Sequence, residues 1–175
     1  PNHREHHTES SLSSTARYFG PSQLHWLQRS ISQSTALWKV IVTPQPLGLV
    51  IGSGSRDFDG ISSGFKQPLG RELELANLLH WLHDRKIKNT VWLSADVHYA
   101  AAHHFHPSRG HADTFFPFWE FVAGPMNAAT LRPHRLDPTF GPERIFCSSP
   151  EGMKGSLSPL DDQQFFGMCE LEPIE

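Results

Sequence analysis

Apolar residues recur at helical spacing in residues 20–34, where Leu24, Leu27 and Ile31 share one face. Pro21 suits the first turn of a helix there. Residues 38–54 instead carry two short β-rich runs, divided by Pro44 and Pro46. Proline confines strand pairing, so the pattern predicts a buried strand that breaks at a loop. Residues 53–70 show no period and are rich in glycine, serine and acid, which predicts a long loop. A second helical stripe follows in 71–86, from Leu75, Leu78, Leu79 and Leu82. Glu72 and Glu74 occupy its first turn, and Arg85 and Lys86 its last, as the helix dipole favours. Residues 87–95 read as a strand, with Asn89 at the turn into it.

The order strand, loop, helix, strand is that of a βαβ crossover. It predicts a buried sheet with a ligand crevice at the carboxyl ends of its strands. Beyond residue 98 the character changes. The runs "YAAAHHFH", "FPFWEFVAGPMNA", "RIFCSS" and "QQFFGMCELE" are short and β-rich, separated by Gly/Pro loops. They predict antiparallel strands and long loops, and the fold class is α/β (α+β). No internal repeat is present.

Composition narrows the function classes. A chain of 175 residues with 38% hydrophobic and 19% charged residues belongs with folded globular proteins. A net charge of −3 gives nucleic acid no long-range attraction. No window reaches the ~18 apolar residues of a membrane span. Cys147 and Cys169 are too few for a disulfide scaffold and have no zinc spacing. Residues 1–19 read as a polar arm without a signal-peptide core, and 20–175 as the folded part.

Histidine is the outlier, with twelve copies. Asp96 and His98 stand just past the predicted strand "VWLSA". In an extended stretch residues i and i+2 share a face, so carboxylate and imidazole would converge on one cation. A cap and a solvent-facing histidine would use the same residue types. Among His103, His104 and His106, strand alternation sends His104 and His106 to one face and His103 to the other. His104 or His106 is a candidate ligand or substrate donor, and the alternative is a polar edge facing solvent. Asn127 reads by its type as a residue of a strand-to-loop turn. The run Gly60-Ile61-Ser62-Ser63-Gly64 has the spacing of a serine-hydrolase nucleophile elbow, but lacks the preceding strand and following helix.

The long stretches "PLGRELELANLLHWLHDRKIKNTVWLSADVHYAAAHHFHP" and "FPFWEFVAGPMNA" resemble the alkaline phosphatase D family of PhoD-like metallophosphatases. So do "LHWLQRSISQSTALWKVIVTPQPLGLVIG", "LDPTFGPE" and "QQFFG". The resemblance runs from about residue 20 to about residue 172, and implies the C-terminal part of the family's catalytic domain. It implies a calcineurin-like β-sandwich flanked by helices, a secreted or periplasmic location, and hydrolysis of phosphate mono- or diesters. The implied metals are iron and calcium, with other divalent cations as alternatives. The family's late metal motif, Gly-Asp-Val-His, stands here as Ala95-Asp96-Val97-His98, making Asp96 and His98 metal ligands by resemblance. Asp59, in "FDG", resembles the acid of the family's Trp-Asp-Gly, with Asp57 as the other candidate, and the resemblance also implies that the segment of Asn127 lies near the site.

The remaining family ligands have no match here, because Asn2, Tyr18, Cys147 and Cys169 stand in other contexts. A missing N-terminal half is therefore expected to complete the site and to cover Val40, Ile41, Leu49, Val91 and Leu93. The isolated chain is expected to bind metal weakly. The alternative reading is a catalytically inert fragment, or a binding scaffold, that retains the fold.

Overall fold

The computed structural model describes residues 11–52, 60–161 and 163–172. Helix α1 spans Pro21–Gln33, and its Pro21 sits at the start as the sequence requires. Strand β1 is Lys39–Val42, helix α2 Glu72–Asp84 and strand β2 Thr90–Ser94. Strands β3 (Ala101–Phe105), β4 (Phe118–Val122) and β5 (Pro142–Cys147) follow. The fold class is mixed α/β, as the pattern predicted.

The sheet order is β1-β2-β4-β3-β5. β1 and β2 are parallel with Val40 opposite Val91, the pairing of a βαβ crossover through α2. β4 runs parallel to β2, and β3 runs antiparallel to both β4 and β5. The run "QQFFGMCELE" does not become a strand. Residues 163–172 are irregular, and Phe165 N donates to Pro125 O at 2.8 Å.

Alternation along the strands sorts the sheet into two unlike faces. Ile41, Trp92, Phe118 and Phe105 point inward, where Leu75, Leu78, Leu79 and Leu82 of α2 and Ile31 of α1 close the core. Phe105 stacks on Phe118 with ring centroids 4.5 Å apart. Tyr18 and Phe19, on the stretch read as a polar arm, also join this core. The reason is Glu74. Its Oε2 accepts from the backbone N–H groups of Tyr18, Phe19 and Gly20, at 2.8, 2.8 and 3.3 Å. Thus the first-turn acids of α2 are buried tethers and not the solvated dipole partners that their positions suggested.

The other face is open. Val40, Val42, Trp119, Phe121 and Phe146 are all exposed on it, Val42 by 70%. Val91 and Leu93 are half-buried, whereas Ile41 and Leu49 are buried. The near-continuous apolar runs had suggested strands covered on both faces. Among the described residues there is one sheet, and its helices cover one side.

Candidate functional site

β2 ends at Ser94, and the next residues bend instead of continuing as a strand. Asp96 and His98 both adopt left-handed backbone, with φ of 77° and 63°. This departs from the extended geometry expected of the pair. A side chain at positive φ costs on the order of 1 kcal/mol, and such positions concentrate where chemistry needs them. The packing that holds the bend is visible. Val97 and Tyr99 are buried in a second core cluster with Leu49, Ile51, Ala101 and Val122. With alternate residues anchored inward, Asp96 is left exposed and His98 half-buried.

Each of the two side chains is held from behind. Gln45 Nε2 donates to Asp96 Oδ2 at 2.8 Å. His98 Nδ1 donates to the carbonyl of Ala129 at 2.8 Å. That bond fixes the tautomer, leaving the Nε2 lone pair as the available donor to a cation. A carboxylate oxygen and an imidazole nitrogen, each oriented by a second partner, are donor types that suit a metal. Among the described residues no group of three His, Cys, Asp or Glu is placed to hold a cation. Asp57 and Asp59 lie outside the described residues.

Below the bend sits a buried polar network. Glu120 of β4 is fully buried and its Oε1 accepts from Leu47 N at 2.8 Å and from Ser94 Oγ at 3.1 Å. Its Oε2 accepts from His103 Nδ1 at 3.0 Å. Three segments are thereby locked at one end of the sheet: the loop carrying Gln45, the end of β2, and β3. Tyr18 lies near enough for the charge of Asp96, after burial itself, to push its phenol above the usual range.

On the flank stands His134. Its backbone N–H donates to Tyr99 Oη at 3.0 Å, and its Nδ1 lies 3.4 Å from the same hydroxyl. Burial pushes the Tyr99 phenol up to about 12. Burial, then Arg144 and Arg132, lower the pKa of His134, with Asp96 and His98 also within electrostatic reach.

The other candidates are placed elsewhere. His104 pairs with Trp119, which is opposite Val91 at the start of β2. Ser94, where β2 ends, lies three residues further along, roughly 10 Å at strand rise. His104 stacks on Trp119 with ring centroids 4.7 Å apart, and shares a face with His106 as alternation predicted. Asn127 is exposed in the loop after β4, two residues from Ala129. Ser62 is fully buried and donates to Leu47 O at 2.7 Å, which rules out the nucleophile elbow. Sequence reading missed Gln45, Glu120 and His134. Glu120 carried a signal, an acid amid the aromatics of "FPFWEFV"; Gln45 and His134 sit in ordinary loop contexts.

A family model described as PhoD-like phosphatase matches residues 2–172. No curated protein matches the chain. Among solved structures, one titled "Structure of PhoD" is similar at 18% identity with a TM-score of 0.46. That match covers 82% of this chain and 28% of the other, so the chain spans a little over a quarter of the solved protein's length.

Proposed function

The chain belongs to the PhoD-like phosphatase family, and from that premise we propose that it forms part of a metal-dependent phosphoesterase whose cation is held by Asp96 and His98. The observation that carries this reading is the bend itself. Two left-handed residues flank buried Val97, and each presents a side chain already oriented by Gln45 or Ala129. The proposed cation is iron or calcium, and Asp59 is a further proposed ligand. The chemistry such an ion supplies is charge neutralisation on phosphate oxygens and acidification of water.

The chain's own residues have defined tasks. Gln45 holds one oxygen of Asp96 and turns the other toward the cation. Ala129 holds the His98 ring through Nδ1, so that Nε2 is the ring nitrogen turned away from that contact. Glu120 keeps the loop of Gln45 against the end of β2. The substrate is a phosphate mono- or diester, and the site of action is outside the cytoplasm, as for the family at large. Asn127 borders the site through its loop, whereas His104 lies toward the other end of the sheet.

The test is metal content and turnover of the purified protein, with an aryl phosphate and a bis-aryl phosphate, before and after chelation. Asp96→Asn and His98→Ala should each lower bound metal, and chelation should abolish hydrolysis. Hydrolysis indifferent to chelator and to both substitutions would overturn the proposal. Absence of both metal uptake and turnover would favour the scaffold reading.

A further inference from the structure

A cleft of about 570 Å³ opens beside the bend, lined by Val50, Gly52, the 131–135 segment, Lys154 and Gly155. Its described lining holds Arg132, Arg135, Lys154 and His134, and no acid. The segment is continuous with the site, since Leu131 N donates to His98 O at 3.2 Å. Its far wall folds back through paired backbone bonds between Thr130 and Leu157, and Ser149 Oγ donates to Leu131 O at 2.8 Å. Arg132, Arg135 and Lys154 are exposed and make no described side-chain hydrogen bond or ion pair. Arg144 adds a fourth positive charge from behind, donating to His134 O.

Cations gathered without counter-charge repel one another, and the arrangement is relieved when an anion enters. Guanidinium groups match the oxygens of phosphate by paired N–H donors. His134 adds a ring nitrogen to the lining. We propose that this cleft is an oxyanion subsite, taking a second phosphate of the substrate while the first lies at Asp96 and His98. The preferred substrates are then esters bearing a second phosphate group beside the one cleaved, such as pyrophosphate-linked compounds. The identity of the anion as part of the substrate rests on the phosphoesterase reading; the anion site itself does not.

A second basic cleft makes the assignment testable. It lies at the opposite end of the sheet, near the starts of β1 and β2, and includes Lys39, Arg85, Lys86 and Lys88. Three of its cations are already engaged. Lys39 Nζ donates to Ala36 O, Arg85 lies over Trp81 and Lys88 lies over Phe116.

The experiment is calorimetric titration of pyrophosphate into chelator-treated protein at two salt concentrations. Binding should weaken as salt rises, and Arg132→Gln with Arg135→Gln should reduce affinity at least tenfold. Lys154→Gln alone should reduce it severalfold, and melting curves should show all variants folded. Lys86→Gln should leave affinity unchanged. No pyrophosphate binding, unchanged binding in the double variant, or loss confined to Lys86→Gln would each overturn the proposal. Because no metal or hydrolysis enters this measurement, a failed phosphoesterase reading would leave pyrophosphate binding intact. The two failures are therefore distinguishable.

Discussion

Gln45 and Asp96, 51 positions apart in the chain, meet through a 2.8 Å hydrogen bond between Nε2 and Oδ2. The bond joins the loops that follow β1 and β2, whose strands lie side by side and parallel. Removing the partner that orients a metal ligand typically lowers affinity 10–100-fold. Gln45→Ala should therefore weaken metal binding by about tenfold, read by competition with a chelator of known affinity. Unchanged affinity would show that Gln45 does not orient the ligand.

Glu120 should be the most sensitive buried position for stability. Its carboxylate serves Leu47 N, Ser94 Oγ and His103 Nδ1 together. Glu120→Ala strips an acceptor from all three, and each buried donor left unsatisfied costs ~1–3 kcal/mol. Glu120→Gln keeps the shape and one acceptor oxygen, so it should cost less. Urea unfolding of both variants measures the difference, and a Glu120→Ala loss under about 1 kcal/mol would be inconsistent with this network.

Glu72 makes stability fall with rising pH. Burial, moderated by the Ser63 hydrogen bond and reinforced by the charge of Asp137, raises its pKa from 4.5 to about 8. Between those values the folded chain retains a proton that the unfolded chain releases. The native state thus binds more protons there, and stability declines as pH climbs from 4.5 to about 8. A tenfold difference in proton affinity between the two states is worth ~1.4 kcal/mol, so the decline from this group is on the order of a few kcal/mol. Glu72→Gln should flatten the melting temperature over that range and raise it at pH 8. A parallel decline in the variant would assign the effect to other groups.

The open sheet face should drive association. Trp119 and Phe121 stack there at 5.9 Å, flanked by exposed Val40, Val42 and Phe146. Burying one such aromatic is worth ~2 kcal/mol. The 175-residue chain by itself should scatter light increasingly with concentration, and Phe121→Glu should suppress this without lowering the melting temperature. Monomeric behaviour at high concentration would show that the face tolerates water.

Both helices and the βαβ order could be read from the chain, because leucine at a 3.6-residue period and short apolar runs are local signals. Leu75, Leu78, Leu79 and Leu82 carry the information for α2 without reference to any other residue. The Asp96–His98 pair was equally visible as a motif. Its shape was not, since left-handed backbone there depends on Val97 and Tyr99 finding places in a core built partly from Leu49 and Val122. Glu74 behaves the same way: a first-turn acid reads as a dipole partner until three backbone N–H groups from Tyr18, Phe19 and Gly20 meet it. Local pattern was enough to mark the helices and most of the strands, and to point to residues able to bind a cation. Folding alone brought Gln45 and Ala129 behind that pair, set His104 far along the sheet, and gathered Arg132, Arg135 and Lys154 in one cleft. These are contacts between distant parts of the chain, and no local period encodes them.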